Sequence, residues 1–268
     1  MLNNSKYKTN EKRNIVAYIS PHSINNLDTK NPYVMAWWSA AFPGFGHLIL
    51  GHYFLGIMLI LHEITINTLS GLNTAIYYSM IGDIETAKQY LDTKWILAYI
   101  GPYIFAIWDC YQKTSQQNED YLIAYQSGYE IVSNNISVLC RSRLDIKNPI
   151  VALIWSYLAP GAGHVYIHRM PIIFLVPWFV IVVYNANLLP AIHFLFVGDF
   201  ENALKGLNPQ WLLYLPSMYG FITYDAYLHT LEFNQVYKME LKRFLEKRYQ
   251  NHKFPLGSPI SSKEKVKG

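Results

Sequence analysis

The hydrophobic residues of this chain fall into long apolar segments that are separated by short polar elements. A helix that crosses a bilayer needs about 20 predominantly apolar residues. Each half of the chain contains three apolar segments. The second segment exceeds this length, the third approaches it when its aromatic ends are included, and the first is interrupted near its middle. The pattern predicts an all-α, polytopic helical membrane protein. The segments are residues 33–50, 53–81 and 95–110 in the first half and residues 150–167, 171–197 and 211–227 in the second.

A Pro-Gly-x-Gly-His motif interrupts the first apolar segment of each half. The first copy contains Pro43, Gly44, Gly46 and His47, and Lys-Asn-Pro at residues 30–32 precedes it. The second half repeats both features, so we expect two tandem repeats of three apolar segments each. The second copy comprises Lys147, Asn148, Pro149, Pro160, Gly161, Gly163 and His164, and the other matching pairs include Ser39 with Ser156, Asp83 with Asp199, Asp109 with Asp225 and Asn118 with Asn234.

These matches set the expected boundaries of the chain's regions. We expect the membrane repeats to cover residues 30–125 and 147–242. The regions around them are polar: a flexible cytoplasmic tail at residues 1–29, a cytoplasmic linker at residues 126–146, and a basic cytoplasmic tail at residues 243–268 with a disordered end.

A short acidic element separates the second and third apolar segments of each repeat. Asp83 and Asp199 are good N-cap residues, and a glutamate follows in each first turn, where the helix dipole favours acids. We expect each element to begin a short helix on the membrane surface.

The placement of lysine and arginine predicts the topology. Both tails and the middle loop are basic, whereas the two acidic elements carry few basic residues. Lysine and arginine are retained preferentially in cytoplasmic loops. We therefore expect Cys140 and both termini on the cytoplasmic side and Lys88 and Lys205 on the outside, which requires an even number of crossings per repeat.

An even number of crossings leaves one segment of each repeat that does not cross. We assign this role to the first segment, as a re-entrant helix–turn–helix that breaks at the Pro-Gly turn. Broken backbone at membrane depth is tolerated where protein buries it or where it lines a wet cavity. The result is four spanning helices plus two re-entrant segments. The alternative is six spanning helices with inverted pseudo-symmetry, and the basic residues on both sides of the first repeat argue against it.

Composition supports the membrane prediction. The chain is 51% hydrophobic and only 15% charged, whereas soluble domains carry about 25% charged residues. No basic patch suggests nucleic-acid binding. Cys110 and Cys140 indicate neither a disulfide framework nor a metal cage. The spacing of the histidines differs between the repeats, so we expect no metal site. We also expect no cofactor and no catalytic residues.

Four ionisable residues recur in the two repeats within or at the ends of apolar segments. His47 and His164 follow the glycine turns, and Asp109 and Asp225 end the third segments. Ionisable groups inside a membrane need partners. We therefore expect His47 to contact Asp109 and His164 to contact Asp225, as a structural clamp on the broken segment. A proton or ion pathway is the alternative role.

The second segments carry further polar residues that differ between the repeats. His62 and Glu63 lie midway along the segment of the first repeat, where the second repeat has apolar residues. With Asn67, Asn185 and His193 they form a candidate polar cavity. The alternative is that they form hydrogen bonds between helices.

The order of these motifs resembles the two-transmembrane-helix (TM-two) domain family of small bacterial membrane proteins. In that family a glycine turn and a histidine precede an aromatic-Leu-Gly stretch and a second helix that ends in Trp and Asp. Here the matching residues are the Pro-Gly-x-Gly-His motif, Tyr-Phe-Leu-Gly at residues 53–56 and Ile-Trp-Asp at residues 107–109. The family usually has Arg after the His, where this chain has Leu48 and Val165. The resemblance implies a membrane module without general enzymatic activity.

These observations lead to one functional expectation and one alternative. We expect a multi-pass protein of the cell membrane, in contact with the lipid bilayer, that acts as a non-enzymatic scaffold or accessory subunit. The alternative is a small transporter or ion-conducting protein with a polar cavity between the repeats. Residues 228–253 are basic and amphipathic, so anionic lipid or a protein partner is the expected contact there. The high content of Ile, Asn, Tyr and Lys is typical of AT-rich bacterial genomes.

Overall fold

The fold is taken from a computed structural model of the chain. It describes residues 18–19, 29–126, 132–133, 145–167, 169 and 175–249. Most of both predicted tails, most of the linker, and Cys140 lie outside these residues. The part of the chain that is described is helical, apart from a two-residue parallel pairing of Tyr18–Ile19 with Val132–Ser133. The all-α prediction is confirmed.

The helices follow the same order in the two halves of the chain. Each half begins with two short helices, continues with a pair of apolar helices and a short surface helix, and ends with a long helix. The second half has one additional short helix, which precedes its long helix. In the first half they are α1 (Pro32–Ala41), α2 (Phe45–Ile49), α3 (Tyr53–Ser70), α4 (Leu72–Met80), α5 (Ile84–Tyr90) and α6 (Thr93–Gln126). In the second half they are α7 (Pro149–Leu158), α8 (Ala162–Tyr166), α9 (Leu175–Asn185), α10 (Leu188–Val197), α11 (Phe200–Lys205), α12 (Pro209–Leu212) and α13 (Tyr214–Tyr249).

The first apolar segment of each half folds back on itself. Asn31 caps α1 by accepting a hydrogen bond from the backbone N–H of Tyr33, and Pro32 occupies the first helical position, where a missing N–H costs nothing. The chain then reverses at Gly44, whose φ of 100° is readily accessible only to glycine. The 10 residues of α1 extend about 15 Å. The segment is therefore a helical hairpin rather than one long helix, and α7 with α8 repeats it.

The second glycine of each motif allows the two arms of the hairpin to touch. A Cβ atom on Gly46 would lie 2.4 Å from the Met35 carbonyl oxygen, and one on Gly163 would lie 2.2 Å from the Ala152 carbonyl oxygen. Separations this short are not seen for real Cβ atoms. The motif thus places one glycine where the backbone turns and one where two backbones meet.

The second apolar segment of each half is broken, which corrects the predicted continuous segments 53–81 and 171–197. Gly71 separates α3 from α4 with a φ of 66°, and Asn187 separates α9 from α10 with a φ of 54°. At the first break, a Cβ atom on Gly71 would lie 2.4 Å from the Tyr90 carbonyl oxygen. At the second, the side chain of Asn187 donates a hydrogen bond of 3.1 Å to the Gly206 carbonyl. Each break is thus fixed by the end of the adjoining surface helix.

In the described residues, one helix, α3, is long and apolar enough to cross a membrane, and α9 with α10, bent by 56°, qualifies as a second if the pair counts as one span. The predicted number of crossings is not tested by this finding and stays a prediction.

The hydrophobic core lies where the two halves meet. The hairpin of the first half contributes Trp38 and Phe45, and α13 contributes Phe221. The Phe45 and Phe221 rings stack with their centroids 4.1 Å apart, and Trp38 meets Phe221 edge to face at 5.9 Å. Helix α1 also packs along α6, and α7 along α13. The halves therefore share one core.

The acidic elements are capped surface helices, as predicted. Asp83 and Asp199 accept hydrogen bonds of 3.1 Å from the backbone N–H groups of Thr86 and Asn202. The hydrogen bonds from the Thr86 hydroxyl and N–H hold the pKa of Asp83 below its ordinary value. Asp83 is exposed and Asp199 is half-buried. Both helices also expose large apolar side chains, among them Ile84 and Phe200.

Candidate functional site

The polar centre of the first half joins the glycine turn to α6. His47, in α2, is fully buried, and its Nε2 atom lies 3.0 Å from Oδ2 of Asp109. The predicted contact is present. Lys113, one turn further along α6, donates hydrogen bonds of 2.7 and 2.6 Å to the two carboxylate oxygens of Asp109. Lys113 is not among the site residues predicted from the sequence, although its i, i+4 spacing from Asp109 is visible there.

The polar centre of the second half is larger and fully enclosed. His164 Nε2 lies 2.9 Å from Oδ2 of Asp225, which is the second predicted contact. Arg169 places its Nε atom 3.3 Å from the same oxygen, and His229 places Nδ1 3.2 Å from Oδ1. Asp225 has no exposed surface, and Arg169 is 3% exposed. The carboxylate therefore interacts with three nitrogen-bearing side chains inside the protein.

This second centre continues to the start of the first half. His229 Nε2 lies 3.5 Å from Oε2 of Glu232, and the ammonium of Lys30 pairs with Oε1 of Glu232. All of these side chains are buried. Two cations, Lys30 and Arg169, thus balance two carboxylates, Asp225 and Glu232. Buried charges are retained when paired in this way, because an unpaired one is strongly destabilising.

One further contact joins the halves at this level, and two matched contacts act within each half. Arg169 donates a hydrogen bond of 3.3 Å from Nη2 to the Leu48 carbonyl, which belongs to the first hairpin. Asn118 accepts from the Lys30 N–H at 2.9 Å and donates to the Lys30 carbonyl at 2.7 Å. Asn234 bonds the backbone of Lys147 in the same way, at 2.8 and 2.7 Å. The matched asparagines therefore anchor the two Lys-Asn-Pro sequences.

Replacing Asn118 by alanine is expected to lower the free energy of unfolding by about 2 kcal/mol, because two partly buried hydrogen bonds are lost at about 1 kcal/mol each. Asn234→Ala should cost a similar amount. Asn185→Ala is the control, since the Asn185 side chain bonds only the Ile181 carbonyl of its own helix, and it should change stability by less than about 0.5 kcal/mol. Thermal unfolding in detergent measures all three. Equal stability of Asn118→Ala and the control would contradict this anchoring role.

A third polar group lies where α3, α4 and α12 meet. Asn67 donates hydrogen bonds to Oε1 of Glu63 at 2.9 Å and to Oδ1 of Asn73 at 3.1 Å. Gln210, from the second half, donates to Oδ1 of Asn67 at 2.8 Å. The side chain of Asn73 in turn donates to the Gln210 carbonyl at 2.9 Å. The group is a hydrogen-bonded joint between the halves.

Glu63 has one satisfied carboxylate oxygen and one unsatisfied. Tyr99 donates to Oε1 at 3.4 Å in addition to the bond from Asn67. Oε2 has no hydrogen-bond partner among the described residues. Within the same part of the chain, Glu63 takes part in no ion pair with Lys, Arg or His. Glu63 is thus a buried acid without a cation.

The structure does not gather the candidate cavity residues into one site. Glu63 and Asn67 belong to the joint just described. His62 is half-buried on a different face of α3. Asn185 bonds within α9, and His193 is exposed on α10. The sequence analysis missed Gln210 as a member of the joint, although Asn208-Pro209 before it is a third Asn-Pro helix start.

The described residues contain no group of three or more His, Cys, Asp or Glu side chains arranged to hold a metal ion. Chemically, the three centres are ion pairs and hydrogen bonds that connect helices. Comparison with models of known protein families, with characterised proteins and with solved structures gives no match.

Proposed function

We propose that the protein is an integral, multi-pass protein of the cell membrane, built from two repeats, that acts as a non-enzymatic scaffold or accessory subunit. The observation that carries the proposal is the distribution of apolar side chains. Large apolar residues cover the outside of the helices, with Phe54, Leu97 and Phe196 exposed by 82%, 74% and 87%. Soluble monomers rarely expose such extensive apolar surface. A bilayer is the environment that favours it.

The charged residues buried in the interior support the same proposal. Lys30, Arg169, Asp225 and Glu232 are buried, and so is Glu63. In a soluble protein such residues lie mostly at the surface. An arrangement with charged groups inside and apolar groups outside fits a protein whose solvent is hydrocarbon, since intramembrane ionisable residues face the bundle interior and pair there.

The helical hairpins support a topology with four crossings. A helix of about 15 Å that folds back cannot cross a hydrocarbon core of about 30 Å. The crossings proposed are α3 with α4, α6, α9 with α10, and α13. For α6 and α13 the proposal rests on their apolar segments, residues 95–110 and 211–227, since neither helix is apolar enough to qualify on its own. Helices α6 and α13 have 34 and 36 residues and extend about 51 and 54 Å, so their polar ends reach beyond the bilayer. We propose that both termini lie in the cytoplasm, because the tails and the middle loop are rich in lysine and arginine.

The bonding of the interior polar groups favours a scaffold over a transporter. A transport pathway requires polar groups that are free to bind a solute. Here the histidine of each hairpin contacts an aspartate of the long helix in the same half. Asn67, Asn73 and Gln210 hydrogen-bond across the two halves. Groups used in this way fix helices in place. The resemblance to the TM-two family supports the same role, and the basic end of α13 is proposed to contact anionic lipid or a protein partner.

Replacing Glu63 by glutamine, together with His62 by alanine, tests the scaffold against the transporter. In a scaffold the change is expected to be neutral or slightly stabilising, because glutamine keeps the Oε1 acceptor and removes a buried charge that has no cation. Membrane abundance, thermal unfolding and cell growth should match the unaltered protein. In a transporter that uses the carboxylate, growth should fail while abundance stays normal. That second result would reject the scaffold proposal.

A further inference from the structure

A cavity of about 350 Å³ opens beside the polar centre of the first half. Its polar lining comes from His52, Lys113, Gln116, Gln117 and Asp120. His52 precedes α3, and the other four lie on the last turns of α6. The cavity therefore lies at the end of the third apolar segment, where the proposed topology places the boundary between the bilayer and the cytoplasm.

The second half fills the corresponding place with its own side chains. Arg169 holds the position of His52, the fifth residue after the motif histidine, and Glu232 holds the position of Gln116, the seventh after the aspartate. Arg169 and Glu232 are each 3% exposed, whereas His52 and Gln116 are exposed. Lys30 completes the second centre by pairing with Glu232.

Among the described residues, the first half has no ion pair that corresponds to the one between Lys30 and Glu232. Lys147 is the counterpart of Lys30, but its ammonium lies 3.2 Å from Asp145, within the chain segment that leads into α7. Gln116, unlike Glu232, offers no charge that would attract it. The first centre thus keeps an open polar cavity where the second is closed by an ion pair.

The lining of the cavity supplies N–H donors from the Lys113 ammonium and from the glutamine amides. The Lys113 ammonium has three N–H donors, and hydrogen bonds to Asp109 use two of them. The first turn of α3 has no side-chain cap, so its N–H groups and the positive end of its dipole remain available. Partial desolvation and, to a smaller degree, the charge on Lys113 lower the pKa of His52.

We propose that this cavity binds the phosphate of a phospholipid head group. The inference rests on the proposed membrane placement. Lys113, the start of α3 and the Gln116 amide supply positive charge and donors to the phosphate. Asp120 at the rim accepts a hydrogen bond from a head-group hydroxyl or ammonium. Phe54, beside His52 and 82% exposed, gives the acyl chains an apolar contact.

Native mass spectrometry of the full chain, delipidated in detergent, tests the ligand class. Dioleoylphosphatidylglycerol is expected to bind at one site at least about tenfold more tightly than dioleoylglycerol, which has the same chains and no phosphate. Inorganic phosphate is the third probe. Competition by millimolar phosphate would assign the site to the phosphate group itself, while its failure to compete would assign it to the intact lipid. Equal binding of the two lipids would overturn the proposal.

Two substitutions of opposite charge at the exposed residue Gln116 test whether the lipid binds in this cavity. Gln116→Glu puts a negative charge in the cavity and should weaken phosphatidylglycerol binding about tenfold, whereas Gln116→Lys should strengthen it. Lys88→Gln on α5 is the control, because Lys88 is exposed and distant along the chain, and it should leave binding unchanged. Identical phosphatidylglycerol binding by the two Gln116 variants would contradict the proposal that the lipid binds in this cavity. Recovery of every variant in the membrane fraction keeps this outcome separate from failure of the proposed membrane function.

Discussion

Replacing Asp225 by alanine is expected to lower the free energy of unfolding by about 3–5 kcal/mol, which is enough to deplete the folded protein. The change removes the carboxylate but leaves Arg169 in place, 3% exposed and without its charge partner. His164 and His229 lose their contact with Asp225 at the same time. A buried charge without a partner strongly destabilises the folded protein. Unfolding in detergent, with folded protein detected by gel filtration, measures the loss.

Two comparisons make this prediction specific. Asp109→Ala should cost less than Asp225→Ala, because the Lys113 side chain is 27% exposed and can turn towards water. The double variant Asp225→Ala with Arg169→Leu should recover part of the loss, since it removes both charges. Equal destabilisation by Asp109→Ala and Asp225→Ala, or no recovery in the double variant, would contradict the assignment of Asp225 as the partner of a buried cation.

Replacing Gly163 by alanine is expected to prevent the second hairpin from forming. The added methyl group would lie 2.2 Å from the Ala152 carbonyl oxygen and 2.1 Å from the Ser156 hydroxyl. The carbonyl belongs to the backbone of α7 and cannot move without unwinding that helix. We expect a loss of about 3 kcal/mol or more. Gly46→Ala should behave in the same way against the Met35 carbonyl.

Gly220→Ala is the matched control for both glycine substitutions. Gly220 lies inside α13, and an added Cβ atom would lie 3.6 Å from the nearest ring atom of Trp38, an ordinary contact, so alanine should stabilise the helix by up to about 1 kcal/mol. Thermal unfolding of the three variants gives the comparison. If Gly163→Ala were as stable as Gly220→Ala, the close packing of the hairpin arms would be wrong.

The repeated motif allowed part of the structure to be predicted from the sequence. A Pro-Gly-x-Gly break reverses an apolar helix for reasons that are local, since glycine alone permits both the turn and the close backbone approach. The His–Asp contacts were predictable because a polar group in an apolar segment requires a partner. In each half, one histidine and one aspartate recur at matching positions within or at the ends of apolar segments. The caps at Asp83 and Asp199 follow from the same local chemistry.

The parts that the sequence did not reveal depend on tertiary contacts. Nothing local shows that Lys30 pairs with Glu232, since the partners lie in different halves. Gly71 breaks α3 from α4 because the Tyr90 carbonyl fills the space that a side chain would need. The candidate cavity failed to assemble for a similar reason, since the faces on which His62 and His193 lie are decided by how the halves pack.

The topology is tested most directly by impermeant thiol labelling of intact cells. In a Cys110→Ala background, cysteines placed at Lys88 and Lys205 should be labelled from outside. Cys140, in a protein without those two changes, should be labelled only after the cells are made permeable. Labelling of Cys140 from outside, with protection of position 88, is the pattern of six crossings and would contradict the four-crossing account. Recovery of the protein in the soluble fraction would contradict its placement in the membrane.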